Sequence, residues 1–141
     1  MSPVVMVIDE NPSVVELITQ MLAQAGHVVV GCSDLARAEA VVNETNPDAV
    51  ILELRRRNEY VAWSLLSRLR SNGRAKPLPV LVTSGDGSLL RRYDTDLEVM
   101  GVPVLAKPFT IDSLLTRLAD LVRAANVVAD AEPLESAWQT P

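Results

Sequence analysis

The sequence predicts an α/β fold in which a five-stranded parallel sheet carries helices on both faces. Two observations support this prediction. Short apolar runs alternate five times with longer segments of helical spacing, and polar residues hardly interrupt the short runs. Uninterrupted runs rich in Val and Ile are typical of strands that are buried on both faces. Strict strand–helix alternation implies parallel strands, because right-handed crossovers then cover both sides of the sheet.

The predicted strands are the short apolar runs, at residues 4–8, 28–30, 49–54, 80–82 and 102–106. The predicted helices are stripes of apolar residues three and four apart, at residues 14–25, 35–42, 61–69, 89–100 and 111–122. Gly26 and Gly101 predict the ends of the first and fourth helices, and the third is expected to end near Asn72-Gly73. Five such units fit a flavodoxin-like (βα)5 three-layer sandwich with strand order 2-1-3-4-5.

We expect one domain over residues 1–126. The helical pattern fades after Asn126, and residues 127–141 contain Pro133, Pro141 and Trp138. This segment is interpreted as a C-terminal tail or linker.

Composition narrows the possible functions. The 141 residues are 48% hydrophobic and 22% charged, which excludes a mainly disordered chain. No apolar run approaches the roughly 18 to 20 residues that a membrane span needs. The net charge of −5 disfavours binding of nucleic acid by the domain. A single cysteine, Cys32, and a single histidine, His27, form a poor ligand set for zinc or haem. The start of the chain lacks a basic signal region, so we expect a cytoplasmic domain.

Ligands of open parallel sheets bind beyond the carboxyl ends of the strands. The polar residues predicted at those ends are Asp9, Glu10, Glu53, Thr83, Ser84 and Lys107. Clustered carboxylates need a compensating cation, and Mg²⁺ prefers such oxygen ligands. A hydroxyl and an ammonium group opposite a metal ion would suit a phosphoryl group.

Four segments together resemble the receiver domain of two-component response regulators across about residues 4–124. They are Val-Ile-Asp-Glu-Asn-Pro at 7–12, Pro-Asp-Ala-Val-Ile-Leu-Glu-Leu at 47–54, Pro-Val-Leu-Val-Thr-Ser-Gly at 79–85 and Lys-Pro-Phe at 107–109. The resemblance implies a bacterial phosphorelay module. It also implies protein partners, either a histidine kinase or an output domain.

The resemblance assigns a role to each position. It implies a candidate Mg²⁺ site formed by Asp9, Glu10, the residue at position 53 and the backbone carbonyl of Arg55. Ser84, or Thr83 if the register differs by one residue, would contact a phosphoryl oxygen. Lys107 would pair with the phosphorylated carboxylate, and the Lys107–Pro108 peptide would be cis.

The resemblance also implies a partner surface, which helix four, strand five and helix five form and through which the domain could form a homodimer. Tyr93, Val104 and Phe109 belong to this surface. Val104 stands where the family often has a switching aromatic side chain, so a rotamer switch is absent there.

The most informative position departs from the family pattern. Glu53 stands where the family has its phosphoacceptor Asp, and the loop that follows contains three consecutive arginines, Arg55 to Arg57. The extra methylene displaces the carboxylate by about 1.5 Å. One arginine could fold over the pocket and neutralise the acids without metal; alternatively, the arginines form a solvated basic loop.

Three functions follow from these observations. The first is an atypical receiver, a pseudo-receiver that is not phosphorylated in the usual way and acts through protein contacts. The second is a regulator that accepts phosphate from a histidine kinase with Mg²⁺. The third is a flavodoxin-like enzyme that binds an organic cofactor. The turn at residues 9–13 has no glycine fingerprint for a nucleotide, which disfavours this third function. We therefore expect a domain without enzymatic activity or organic cofactor.

Overall fold

The computed structural model describes the backbone of residues 3–71 and 77–138, and the side chains of residues 3–70 and 77–125. Within these described residues, five strands alternate with five helices. In order, the elements are β1 (Val4–Ile8), α1 (Pro12–Gln24), β2 (Val28–Cys32), α2 (Leu35–Thr45), β3 (Ala49–Glu53), a 3-10 turn (Arg56–Asn58), α3 (Glu59–Ser71), β4 (Val80–Ser84), α4 (Gly87–Met100), β5 (Val104–Ala106) and α5 (Ile111–Trp138).

The sheet has the predicted strand order, β2-β1-β3-β4-β5, and every pair of neighbouring strands is parallel. The register places Ile8 opposite Leu52 and Glu53 opposite Thr83. The carboxyl ends of β1, β3 and β4 therefore meet at one edge. The predicted flavodoxin-like architecture is confirmed.

The core consists of two apolar clusters, one on each face of the sheet. Helices α2, α3 and α4 cover one face, with Val42, Leu65 and Leu89 fully or almost fully buried. Helices α1 and α5 cover the other face, where Leu22 and Leu114 are buried. This arrangement gives the three predicted layers.

Burial on both faces was predicted for all strands but holds only for the central ones. All residues of β3 and β4 are buried, whereas β2 has a mixed pattern and Val28 is exposed. β2 and β5 are the edges of the sheet, so each has only one neighbouring strand to cover it. The apolar runs do not reveal which strands lie at the edges.

The helix ends follow the predicted signals where the structure describes them. Gly26 follows α1 with a φ of +94°, and Gly101 ends α4 with a φ of +70°, a conformation that glycine adopts without strain. The predicted end of α3 at Asn72-Gly73 lies outside the described residues. α5 continues to Trp138, past the boundary predicted at residue 126, and the tail or linker remains a prediction. Within the described part of the chain, no helix is long and apolar enough to cross a membrane.

Candidate functional site

Two buried acids lie side by side where β1 and β3 end. Asp9 follows β1 and is 1% exposed, and Glu53 ends β3 and is 4% exposed. Ionised carboxylates are costly to bury unless cations and hydrogen-bond donors surround them. The contacts of each acid therefore decide what this pocket can do.

Glu53 is held by three side chains. Its Oε2 accepts a hydrogen bond from the Thr83 hydroxyl at 2.8 Å and lies 2.8 Å from the Lys107 ammonium nitrogen. Its Oε1 lies 3.7 Å from Nε of Arg55. Both oxygens of this carboxylate thus face a cation.

Asp9 shares both of these cations. Its Oδ1 accepts hydrogen bonds from the Asn11 amide at 2.9 Å and from Nη2 of Arg55 at 3.0 Å. Its Oδ2 lies 3.5 Å from Nζ of Lys107. Asp9, Glu53, Arg55 and Lys107 therefore form one cluster of two acids and two bases, whose formal charges cancel.

The three arginines contact different acids. Arg55 contacts Asp9 as described, Arg57 lies 3.3 Å from Glu10, and Arg56 contacts Asp86 at 3.0 Å. The arginines are not simply a solvated loop, because Arg55 reaches into the buried cluster while Arg56 and Arg57 stay at its exposed rim. Of the two predicted alternatives for these arginines, the structure shows the one in which an arginine folds over the pocket.

The loop that carries Arg55 is fixed by its own hydrogen bonds. The Arg55 amide donates to Oδ1 of Asn58 at 2.9 Å, and the Asn58 amide donates to the Arg55 carbonyl at 3.1 Å. Asn58 is itself buried. The carbonyl for which we predicted metal binding thus already accepts one hydrogen bond.

The two candidate hydroxyl groups have different partners. Thr83, and not Ser84, contacts Glu53. The Ser84 hydroxyl donates to the Leu54 carbonyl at 2.6 Å and accepts from the Asp86 amide at 3.1 Å. Ser84 therefore ties the start of the α4 loop to the end of β3. Its predicted contact with a phosphoryl oxygen remains a prediction.

Lys107 is positioned by β5 and by the peptide that follows it. Its amide donates to the Ser84 carbonyl at 2.8 Å, which extends the pairing of β4 with β5. The Lys107–Pro108 peptide is cis, as predicted. These contacts direct the ammonium group toward the two acids.

The predicted Mg²⁺ site does not fit a metal ion as the side chains are arranged. Mg²⁺ requires near-octahedral oxygen ligands at about 2.0–2.1 Å. Both oxygens of Asp9 already face cations, and Glu10 faces Arg57. Among the described residues, no group of three or more acidic, His or Cys side chains is placed to hold a metal ion. Binding of Mg²⁺ stays a prediction from the resemblance, and this geometry opposes it.

The residues predicted for a partner surface are half-buried inside the domain. The Tyr93 ring stacks on Trp63 with centroids 4.5 Å apart. Val104 packs against the cluster under α3 and α4, and Phe109 packs against the cluster under α1 and α5. Among large apolar side chains of α4, Val99 is 82% exposed. The role of the α4–β5–α5 face in partner binding remains a prediction.

Sequence reasoning missed a second polar cluster, which joins α3 to α4. Glu59 is buried at the start of α3, accepts a hydrogen bond from the Tyr93 hydroxyl at 2.5 Å and pairs with Arg92 at 2.8 Å. These contacts hold the pKa of Glu59 below its usual value, the Tyr93 hydrogen bond most strongly. The same hydrogen bond, aided by burial, raises the pKa of Tyr93 to about 12. No sequence signal links these residues, because they are more than thirty positions apart.

Asp86 links the turn after β3 to the start of α4. Its side chain caps α4 by accepting from the Leu89 amide, and it accepts two hydrogen bonds from Arg56. The hydrogen bonds from Arg56, then those from Ser88 and the Leu89 amide, hold the pKa of Asp86 far below its ordinary value.

Most of the chain matches one protein family. The family model described as the response regulator receiver domain matches residues 5–119. The DNA-binding dual master transcriptional regulator RpaA of Synechocystis sp. is 25% identical over 132 residues, which cover 92% of this chain and 53% of that protein. The response regulator MprA of Mycobacterium avium is 28% identical over 128 residues, which cover 91% and 54%. The chain thus spans about half the length of these relatives.

Solved structures show the same fold. The Vibrio cholerae chemotaxis protein CheY4 has a TM-score of 0.74 and 20% identity, and the match covers 86% of this chain and 99% of that one. NtrX from Brucella abortus in complex with ADP has a TM-score of 0.81 and 20% identity, and the match covers all of this chain and 31% of that one. At this level of identity, the likeness supports the fold alone.

Proposed function

The chain belongs to the response regulator receiver domain family of two-component signalling, and we propose that it is an atypical member that acts through protein contacts without phosphorylation of an acceptor carboxylate. In this role the domain binds proteins and catalyses no reaction. The observation that carries the proposal is the set of contacts that Thr83, Lys107 and Arg55 make with Glu53, the residue that the family resemblance assigns to the acceptor position.

Two physical effects disfavour phosphorylation of Glu53. The longer side chain displaces the nucleophilic oxygens by about 1.5 Å, and in-line transfer loses about a hundredfold for a displacement of about 1 Å. In addition, Oε2 accepts a hydrogen bond from Thr83 and lies 2.8 Å from the Lys107 ammonium nitrogen, and both contacts make this oxygen a weaker nucleophile.

The contacts of Glu53 support a single, constitutive state of the pocket. The carboxylate brings one negative charge next to Lys107, whereas a phosphoryl group would bring nearly two. The Glu53–Lys107 pair therefore imitates part of a phosphorylated site and requires no phosphate donor. In this proposal, signalling depends on binding of a partner or on oligomerisation.

We propose that the partner is a histidine kinase, an output domain or a second copy of the chain. The α4–β5–α5 face is the surface that the family resemblance suggests for this contact. Helix α4 also carries an exposed apolar side chain, Val99, which a partner could cover. Mutually docked apolar side chains of this kind stabilise protein interfaces.

The first experiment measures intact mass after incubation with acetyl phosphate and Mg²⁺. Wild type is expected to keep its mass, and Glu53→Asp is expected to gain one phosphoryl group because the shorter carboxylate restores the acceptor geometry. Glu39→Asp is the matched control, since it shortens an α2 glutamate that pairs with Arg68 away from the pocket. This control should stay unmodified.

A phosphorylated wild type would contradict the proposal. It would support the second function, in which the domain is a regulator that accepts phosphate from a histidine kinase with Mg²⁺. Equal modification of wild type and Glu53→Asp would likewise show that the glutamate does not prevent phosphorylation.

A further inference from the structure

We infer that Arg55 takes the charge-neutralising role that a divalent cation would have beside Asp9 and Glu53, so that this pocket excludes Mg²⁺. The inference rests on the pocket assigned in the proposed function. It does not depend on whether Glu53 accepts phosphate. The contacts that carry it are those of the Arg55 guanidinium, which lies 3.0 Å from Asp9 and 3.7 Å from Glu53.

The charges in the pocket already balance without a metal ion. Asp9 and Glu53 are almost fully buried, and Arg55 and Lys107 compensate both negative charges. A divalent cation added to this cluster would give it a net charge of +2. Repulsion from two nearby cations at low local dielectric opposes that addition.

The two oxygens of Asp9 differ in how a metal ion could reach them. Oδ1 already accepts two hydrogen bonds, from Asn11 and from Arg55, so a metal ion would have to displace the guanidinium from it. Oδ2 accepts no hydrogen bond, but the Lys107 ammonium nitrogen lies 3.5 Å away and would repel a metal ion there. Mg²⁺ also gives up its own water molecules reluctantly, which adds to the cost of entry.

Arg55 is held in place from both ends. Its backbone is tied to Asn58 by two hydrogen bonds, and its side chain is only 31% exposed. Its guanidinium is always protonated, donates a hydrogen bond to Asp9 through Nη2 and keeps Nε 3.7 Å from Glu53, so one positive charge lies beside both acids. Neutralisation by Arg55 also cannot be lost by dilution, as neutralisation by a bound metal ion can.

The test is the binding of Mn²⁺, a spectroscopic substitute for Mg²⁺, which is followed by electron paramagnetic resonance of the free ion. Wild type should leave the Mn²⁺ signal unchanged, and Arg55→Ala should bind the ion at least about tenfold more tightly, because one repelling charge has been removed. Arg123→Ala is the matched control. It makes the same change of charge at an exposed arginine that pairs with Asp120 on α5, and it should behave as wild type does.

Two results would overturn the inference. One is binding of Mn²⁺ by wild type as tightly as by Arg55→Ala, and the other is a folded Arg55→Ala that binds no better than wild type. If Arg55→Ala does not fold, the melting temperature of wild type tests the inference without the variant. A ligand that binds the folded state raises the melting temperature. Because wild type should not bind Mg²⁺, its melting temperature in MgCl₂ should equal that in NaCl at the same ionic strength. A higher melting temperature in MgCl₂ would contradict the inference.

The acetyl phosphate assay separates this inference from the proposed function. Glu53→Asp with Arg55→Ala should be modified about tenfold faster than Glu53→Asp alone, because in the single variant Arg55 still opposes entry of the metal ion and slows the reaction. A wild type that binds Mn²⁺ but stays unphosphorylated would refute only the role of Arg55. A wild type that is phosphorylated but binds no Mn²⁺ would refute only the proposed function.

Discussion

At the scale of single residues, the pocket depends on two cations that two buried acids share. Lys107 lies closer to Glu53, at 2.8 Å, and Arg55 lies closer to Asp9, at 3.0 Å, but each cation also reaches the other acid. Because of this sharing, neither acid depends on one partner alone. Removal of one cation nevertheless leaves an excess negative charge in a buried site, which is unfavourable.

We predict that Lys107→Met lowers the free energy of unfolding by about 2 kcal/mol. Loss of one partner of a buried pair costs about 3–5 kcal/mol, and the remaining contacts of Glu53 with Arg55 and Thr83 reduce that cost. Methionine keeps the apolar stem of the lysine, so the variant changes mainly the charge. Urea unfolding monitored by circular dichroism measures the difference.

Arg123→Ala is the control for this prediction, because it removes a positive charge from an exposed pair on α5. Exposed pairs contribute about 0–1 kcal/mol, so this control should be close to wild type. A Lys107→Met variant that loses no more stability than the control would show that the cluster does not depend on Lys107.

The sequence could not show whether the hydroxyl of Thr83 or that of Ser84 contacts Glu53. Thr83 and Ser84 are adjacent, and successive side chains of a strand point to opposite faces. A shift of one residue in the alignment therefore exchanges their roles completely. The pairing of Glu53 with Thr83 across β3 and β4 decides which hydroxyl meets the carboxylate, and this register is a property of the sheet.

At the scale of secondary-structure elements, α1 approaches the edge strand β2 closely at Gly31. A Cβ atom on Gly31 would lie 2.6 Å from Cγ1 of Val15, and the branched Val15 side chain has little freedom to move away. The absence of a side chain at Gly31 thus lets the helix pack directly on the strand.

We predict that Gly31→Ala lowers the free energy of unfolding by about 1–3 kcal/mol, the usual cost of overpacking. Gly87→Ala is the matched control. Its Cβ would meet only the flexible end of Arg91, at 3.4 Å, so this variant should be neutral or slightly more stable. Thermal unfolding of both variants measures the contrast, and equal melting temperatures would contradict the close approach.

The polar contacts between α3 and α4 could not be predicted from the sequence. The apolar stripes of the two helices predict that both pack on the sheet, but they do not give the distance or rotation between the helices. Glu59 meets Arg92 and Tyr93 only because the two helices lie next to each other on one face. The apolar pattern indicates the buried side of each helix. Which polar side chains of two helices meet depends on how the helices are placed in the folded structure.

At the scale of the whole molecule, the fold could be predicted because it depends on alternation and on the handedness of crossovers. The alternation is encoded locally in five strand–helix units, and the same handedness applies to each of the four crossovers between strands. The residues of the candidate site could also be placed, since the carboxyl ends of parallel strands share one edge. The sequence could not decide whether an arginine neutralises that edge or whether the arginines point into solvent. The conformation of a side chain in a loop leaves no periodic pattern in the sequence.

Two ion pairs connect α4 to neighbouring segments, one to α3 and one to the turn after β3. Glu59 pairs with Arg92, and Asp86 pairs with Arg56, so two acids join neighbouring segments to each other. Hydrogen bonds from Tyr93 and from Arg56, respectively, are the main cause of the low pKa values of these two carboxyl groups. Their ionised forms are therefore favoured in the folded state over the unfolded state.

The sign of the resulting pH dependence follows from linkage. A carboxyl group whose pKa is lowered by folding adds stability that is fully present above its unfolded pKa, here 4.5 for Glu59 and 3.8 for Asp86. That stability is lost as the pH falls through the lower, folded pKa values. We predict that the urea midpoint of wild type falls steadily below about pH 4.5, and that it falls less steeply in the double variant Glu59→Gln, Asp86→Asn. Asparagine still caps α4, so the helix start is preserved.

The control for the acid prediction carries the same two changes at exposed carboxylates, Glu44→Gln and Asp96→Asn. Because the wild-type contacts of Glu59 and Asp86 are intact in this control, its midpoint should fall with pH as steeply as that of wild type. If the control and the first double variant had the same slope, the acid sensitivity would arise from the net charge of the whole domain. A shallower slope only in the variant that lacks Glu59 and Asp86 would place it in the contacts that hold α4 to the loop and to α3.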